Sequence, residues 1–278
     1  MSRISGKIIS IYNFMSTVSK IKVENNLKEA IKRSVEEIGG FEKFIKKGDK
    51  VLLKPNFNTA DQFPASTDPA FLKAVVELIF EYGAGEVIIG DSSTMALKTR
   101  KVMEKLGIFD LVKTMLPAPK ILVFDEEKYI KKEIFQGKYL KSVNVPEVLD
   151  RVDKLILLPC LKTHFMAQFT GSLKLSVGFM KKIERLRMHS WHLSEKIAEL
   201  NLVIKPDLVI MDGRKCFITK GPSEGQLAEP GLILASESRV AIDIEEIKII
   251  QNYEGNSLAG IASAEILQIR RARELNIN

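Results

Sequence analysis

The chain has 278 residues, 45% of them hydrophobic, enough to bury a sizeable core and to exclude a disordered chain. Its 42 Lys and Arg against 35 Asp and Glu leave a net charge of +7, a thermophile-like Lys/Glu-rich balance that favours anionic ligands. The two cysteines, Cys160 and Cys216, lie far apart and outside any CxxC spacing, which excludes a disulfide scaffold and a cysteine zinc site, and no iron–sulfur cluster is expected within this chain.

In chain order, "KIISIY" (Lys7 to Tyr12) predicts a β-branched strand. "NNLKEAIKRSVEEIGG" predicts a helix with Leu27, Ile31, Val35 and Ile38 on one face, stopped at Gly39 and Gly40. "DKVLLKPNFN" predicts a buried strand running into a polar loop. A Ser/Thr/Asp cluster with Pro69 in the first turn then opens an amphipathic helix that runs to Gly83. "EVIIGDSS" predicts a strand, "LKTRKVMEKLGIFDLVKTM" a helical region and "KILVFD" (Lys120 to Asp125) a further strand. "KYIKKEIF" fits a peripheral strand, "PEVLDRV" a short helix and "DKLILLP" a buried strand.

Beyond these, "SLKLSVGFMKKIERL" and "HLSEKIAELNLVI" predict helices, "PDLVIMDG" and "PGLILAS" strands, and "SRVAIDIEEIKIIQNY" a region after the last of them. "GIASAEILQIRRARELN" predicts a closing helix. Alternating strands and helices of this kind point to an α/β fold, a mostly parallel sheet with helices on both faces in three layers. Residues 1–278 read as one α/β domain, with any subdivision an inserted subdomain around 160–200. The first residues lack the pattern of a signal peptide, and no apolar run reaches the ~20 residues that span a bilayer. A cytoplasmic protein without a membrane partner is therefore expected.

Ligands of open α/β sheets bind beyond the carboxyl ends of the strands. Four strands here end in charge: "LLKPNFN" at Lys54, "IIGDSS" at Asp91, "LLPCLKTH" at Lys162 and His164, and "VIMDG" at Asp212. Lys54 fits either an anion ligand or a partner for Asp91, and Asn56 and Asn58 fit a turn. Asp91 and Asp212 are the candidate ligands of a divalent metal, or orient lysines. "KGPSEGQ" (Lys220 to Gln226) is placed to line the same cleft, although neither a Walker loop nor GxGxxG is present.

"LPCLKTHFMAQFTGSLK" (Leu158 to Lys174) is the densest of these stretches, and it reads as a loop leading into a helix. Thr163, Gly171, Ser172 and Lys174, with the amides of the helix start, would meet a small anionic ligand. Lys162 and His164 would approach it from the strand side. His164 is the candidate acid/base, since its unperturbed pKa lies near neutrality. His189 and His192, at i and i+3, fit a junction between helices better than a metal pair. Cys160, at the end of an apolar run, reads as a buried thiol.

The segments "VLLKPNFN", "STDPAFLKAVVELIFEYGAGEVIIGDSS", "LPCLKTHFMAQFTGSLKLSVG", "PDLVIMDG", "KGPSEG" and "LILASESRVAIDI", in that order, make the chain similar to the family known as domain of unknown function 362. The resemblance spans Ile8 to Tyr253 and implies an α/β fold. Many family members carry ferredoxin-type iron–sulfur cysteines in an added segment, which this sequence lacks. Leu175 stands where family members commonly have Asn. The family carries no settled reaction.

The favoured reading is an enzyme acting on a small anionic substrate, phosphorylated or carboxylate, with Lys162 and His164 catalytic. Lys54, Asn56, Thr163, Gly171, Ser172 and Lys174 would bind the substrate. The alternative is an accessory protein that holds a metal or redox cofactor through His164, Cys160 and one Asp. Nucleic acid is the least favoured partner, because the basic run "RRAR" (Arg270 to Arg273) has no interleaved aromatics or recognition signature.

Overall fold

The structure, a computed structural model, describes residues 17–189 and 191–278. The strand expected over Lys7 to Tyr12 lies outside the described residues. The described chain opens with β1 (Ser19–Lys22), a short edge strand whose residues alternate between buried and exposed. Helix α1 (Leu27–Glu36) is capped by the Asn26 side chain, which accepts from the Glu29 amide, and Gly39 and Gly40 follow at positive φ. A single turn, α2 (Phe41–Phe44), leads to β2 (Lys50–Lys54). Helix α3 (Pro69–Glu81) begins as its sequence predicts, with Asp68 accepting from the Ala70 amide and proline in the first turn. Strand β3 (Glu86–Asp91) follows.

The next helical region is split into α4 (Thr99–Lys105) and α5 (Ile108–Lys113) by Gly107 in the left-handed region. Strand β4 (Lys120–Val123) closes the parallel edge. A separate hairpin of β5 (Tyr129–Glu133) and β6 (Ser142–Pro146) covers part of one face. Then come β7 (Lys154–Leu157), β8 (Cys160–His164) and the two-residue β9 (Gln168–Phe169). Helices α6 (Gly171–Leu175), α7 (Lys182–Met188) and α8 (Leu193–Leu200) precede the long β10 (Leu208–Phe217). The chain ends with β11 (Leu227–Ala228), β12 (Leu232–Ser236), α9 (Arg239–Gln251) and α10 (Leu267–Glu274).

The main path of the sheet runs β1-β12-β10-β7-β2-β3-β4, parallel from β10 to β4 and antiparallel at β12 and β1. Alternate residues of each strand feed opposite faces. Val51 and Leu53 join a core with Ile31 and Val35 of α1 and Leu72, Val75 and Ile79 of α3. Leu52 faces the other way, into a core with Leu173, Ile197, Ile242, Ile247 and Ile269. The result is a three-layer α/β body whose parallel strands present their carboxyl ends on one rim.

The stretch read as a loop after β7 is instead strand. Pro159 has no N–H and interrupts the ladder, but Cys160 to His164 resume it as β8 alongside β10, with Asp212 opposite Cys160 and Phe217 opposite Lys162. The helix predicted through Ser172 to Leu186 is also broken. After α6 comes a 3-10 turn at Ser176–Phe179, and Met180 is extended. The Arg185 guanidinium donates to the carbonyls of Gly178 and Met180 at 2.9 Å each, satisfying groups that a continuous helix would have paired internally.

Helix α8 is tied to its surroundings by Glu199, which is fully buried. Its carboxylate accepts the backbone N–H groups of Lys138, Tyr139 and Leu140 at 2.8 Å each and the Arg271 guanidinium of α10 at 2.8 Å. Burial alone would raise this carboxyl, but Arg271 and the three amides outweigh it and hold Glu199 below the usual carboxylate range. Glu199→Ala strands these donors together and is expected to cost about 3 kcal/mol of unfolding free energy. A urea midpoint matching that of the unmutated protein would contradict this.

Candidate functional site

Strands β7, β2 and β3 are parallel and in register, so Lys54 and Asp91 emerge side by side at the same rim. They border a cleft of about 300 Å³. Of the residues singled out in the sequence, Lys54, Asn56, Asp91, Lys162, His164 and Lys174 line it, and Pro222 of the Lys220 to Gln226 loop closes one side. Thr163, Gly171, Ser172 and Asp212 do not.

Lys54 and Asp91 form an ion pair of 2.6 Å, with both side chains buried. Burial pushes the Lys54 amine down and the Asp91 charge opposes that shift. The remaining contacts satisfy the pair. Lys54 Nζ also donates to the Pro55 carbonyl at 2.8 Å, and Asp91 accepts the amides of Phe57 and Ser92 at 2.6 Å each. Gly178 lies directly against it, and a Cβ there would stand 2.7 Å from Lys54 Nζ and 3.0 Å from Asp91 Oδ1. No side chain fits at that position.

The alternation of β8 decides which of its residues reach the cleft. Lys162 and His164 share the cleft-facing side, whereas Leu161 enters the core and Thr163 Oγ1 donates to the Phe217 carbonyl at 3.1 Å. Lys162 Nζ donates to the carbonyls of Pro64, at 3.2 Å, and Ala65, and its amine is pushed down by burial. Cys160 is free and buried, as expected, and burial pushes its thiol up to about 11. A thiol held that high is poorly suited to act as a nucleophile.

The amides expected to hold an anion at the start of α6 are occupied by the chain itself. Asp243 of α9 accepts the Ser172 amide at 2.6 Å, the Ser172 hydroxyl at 2.7 Å and the Leu173 amide at 3.0 Å. Gly171 sits at φ +50°, and a Cβ there would lie 2.6 Å from the Asp243 carboxyl carbon, so glycine is needed for this close approach. Gly171 and Ser172 thus position α6 without touching the cleft. Glu246, one turn further along α9, accepts the Lys162 amide at 2.9 Å, and its other oxygen has no partner among the described residues. Burial, reinforced by Asp243, lifts the Glu246 carboxyl well above its ordinary range.

Lys174 reaches the cleft from α6, and its position is half-buried rather than exposed. Its ammonium has no hydrogen bond or ion pair to any described residue. Burial, with the charges of Lys162 and Arg185, pushes it down to about 7. Asp212, expected on the same rim, is turned away. Its two oxygens are held by Arg214 at 3.0 and 2.7 Å, and Arg214 also bonds Asp68 at 2.7 Å. Asp91 and Asp212 therefore do not converge as metal ligands, and among the described residues no three His, Cys, Asp or Glu side chains do.

Arg185 was missed from the sequence, and His189, read there as part of a junction between helices, also lines the cleft. Arg185 is buried and spends its guanidinium on five backbone contacts, including the Ser92 and Ser93 carbonyls at 3.1 and 2.8 Å. It fastens the end of β3 to the turn before α7 while bringing positive charge to the cleft. His189, at the end of α7, has Nδ1 2.7 Å from the Arg185 carbonyl. A carbonyl only accepts, so Nδ1 carries the proton and Nε2 is left as a lone-pair acceptor. His192 is placed elsewhere, stacked on Tyr139 at 3.9 Å and bonded to Glu195.

His164 has the opposite tautomer. Its Nδ1 accepts the amides of Met166 and Ala167 at 3.1 and 3.2 Å, so Nε2 carries the proton. Burial, with Lys174, His189 and Lys162 nearby, pushes it down to about 2. The expected acid/base role therefore does not fit this residue, which is a fixed neutral donor. The unfolded chain binds a proton here below about pH 6.5 and the folded chain does not. The contribution of His164 to stability is thus full above pH 6.5 and declines as the pH falls toward 2. Nitrogen NMR is expected to show His164 neutral and Nε2-protonated from pH 8 to pH 5. A midpoint near 6 would contradict the assignment.

A curated relative, a thylakoid-associated protein of Synechocystis sp., is 30% identical over 239 residues, covering 81% of this chain and 70% of the relative. Among solved structures, a lactate racemase apoprotein from Thermoanaerobacterium thermosaccharolyticum aligns over 85% of this chain with 14% identity and a TM-score of 0.57, a likeness of fold. A Thermotoga maritima protein aligns over 89% with 11% identity and a TM-score of 0.46, too loose to inform the comparison. The chain spans 58% of the length of each of these two solved chains. Among the described residues, no helix is long and apolar enough to cross a membrane. A family model matches residues 51–246, and the chain belongs to that family, described as a domain of unknown function, DUF362.

Proposed function

We propose that the cleft binds a small carboxylate or phosphate and that the protein acts on it as an enzyme. One observation carries this reading. Lys54, Lys162, Lys174 and Arg185 line a single cleft in which Asp91 is the one lining carboxylate among the described residues, and Asp91 is already paired with Lys54. Neither Lys162 nor Lys174 has a carboxylate within ion-pair distance among the described residues. Concentrating unpaired positive charge in a partly dehydrated cleft is unfavourable unless an anion enters it.

In this reading Lys162 and Lys174 hold the anion, while the Lys54–Asp91 pair and Asn56 shape the floor. His164 donates a hydrogen bond from Nε2, and His189 is the better-placed base because its Nε2 is unprotonated when the ring is neutral. The lactate racemase among the structural neighbours acts, by its name, on a small carboxylate, which is compatible with this assignment.

Charge-assisted hydrogen bonds contribute about 1.5–3 kcal/mol each. Lys174→Met is therefore expected to weaken binding of phosphate, pyrophosphate, lactate or oxalate by about ten-fold or more. In the absence of ligand the same variant is expected to melt at the same temperature or higher, because it removes like-charge repulsion from Lys162 and Arg185. Thermal shifts of both proteins across these anions test the reading. Identical shifts, or no shift in either protein, would contradict it.

A further inference from the structure

The three lysines of the cleft are not equivalent. Lys54 gives its protons to Asp91 and the Pro55 carbonyl, and Lys162 gives two to the carbonyls of Pro64 and Ala65. Both amines are held in place by those bonds, with two N–H groups of each already committed. Lys174 makes no such bond to a described residue. It projects from α6, which is locked in place by Asp243 at its start and by the Asn201 amide on the Leu173 carbonyl at 2.9 Å.

We propose that Lys174 is a nucleophilic amine that condenses with the carbonyl of a small anionic aldehyde or ketone, of the 2-oxo acid class, bound in this cleft. The inference rests on the anion-binding reading and extends it to a covalent step. A volume of about 300 Å³ holds on the order of ten water-sized groups, enough for a short-chain oxo acid.

The charges facing Lys174 are Lys162 and His164 on β8, Arg185 and His189 on α7, and the Lys54–Asp91 pair at the ends of β2 and β3. None supplies a counter-ion, so the neutral amine is populated near neutral pH, as in other desolvated lysines beside cations. Its lone pair forms a bond to the carbonyl carbon while the carbonyl π pair moves to oxygen. The nitrogen loses a proton, for which His189 Nε2 is the available acceptor, and the oxygen gains one. Loss of that oxygen as water, with a second proton, leaves a protonated imine. The sum is ammonium plus carbonyl giving iminium plus water, with no oxidant or reductant consumed. The substrate's own carboxylate offsets the retained positive charge.

The test is reductive trapping. The protein is incubated with pyruvate, reduced with cyanoborohydride and mapped by peptide mass spectrometry. At pH 7 an amine with a pKa of about 7 has a neutral fraction roughly a thousand-fold above that of an ordinary lysine. Carboxyethylation is therefore expected at Lys174 at least about a hundred-fold over any surface lysine. It should rise through pH 7 to a plateau and be suppressed by oxalate, which lacks a reactive carbonyl. Lys174→Arg, which keeps a cation there, should lose the adduct while still responding to oxalate in melting experiments. An adduct spread evenly over surface lysines, or none, with the oxalate shift intact, would overturn the imine and leave anion binding standing. Absence of both the adduct and the oxalate shift would overturn both.

Discussion

The buried ion pair between Lys54 and Asp91 fixes the geometry of the whole rim. Removing two charges from water is costly, and a pair separated by 2.6 Å persists only where other bonds complete its shell. Here the shell consists of the Pro55 carbonyl, the Phe57 and Ser92 amides, and the ring of Phe179, 5.7 Å from the Lys54 ammonium. Each of these contacts recruits backbone. The turn after β2 folds over Asp91, the loop after β3 is pulled inward, and the segment after α6 must pass so close that only glycine fits at 178. A helix that sequence alone would continue breaks at that point, and Arg185 re-satisfies the carbonyls that the break exposes.

The electrostatics of the cleft follow from this arrangement. Asp91 is fully used inside the pair, so it cannot neutralise Lys162 or Lys174. The two carboxyls nearest in sequence logic, Asp243 and Glu246, sit behind the cleft wall. Asp243 is occupied by the start of α6, and burial shifts both toward the neutral acid, Asp243 up to about 7. The wall thus provides hydrogen bonds without providing countercharge. The cleft side is lined by amines held down by burial and by a histidine fixed as a neutral donor. Among the described residues, the positive charge of Lys162, Lys174 and Arg185 has no carboxylate in the cleft lining to balance it beyond Asp91.

Much of this was legible in the sequence, and the failures have particular causes. An apolar run ending in a charge pointed to the rim for Lys54 and Asp91, where the structure has them, because a residue at the carboxyl end of a parallel strand has only the rim to occupy. The same cue misplaced Asp212, although "DGR" contained the correction. Residues i and i+2 of an extended strand share a face, so Arg214 was always positioned to take that carboxylate. Thr163 failed for the complementary reason, since alternation in "CLKTH" puts it opposite Lys162 and His164. That segment was read as a loop because its polar residues resemble turn formers, whereas they are the polar side of a strand facing a cleft.

Gly171 and Ser172 looked like anion ligands because a helix start offers free amides, and nothing local announces a carboxylate from α9, far along the chain, arriving to fill them. Arg185 was invisible for the same reason, because its partners are carbonyls brought together only by the break at Gly178. His164 was read as an acid/base, a role its surroundings do not fit, since its two amide donors come from the turn into β9. Tautomer and pKa depend on that turn and on burial, neither of which a residue type reveals.

The central claim, that the cleft holds unpaired amines awaiting an anion, is tested most directly by counting protons. Oxalate binding measured by titration calorimetry at pH 8, in two buffers of different ionisation enthalpy, reports proton exchange on binding. An anion placed beside Lys174 should raise its pKa from about 7, so the account predicts that the protein takes up a proton as oxalate binds. It also predicts that Lys174→Met binds more weakly and takes up none. Oxalate binding with no dependence on buffer, or the same uptake in both proteins, would contradict it.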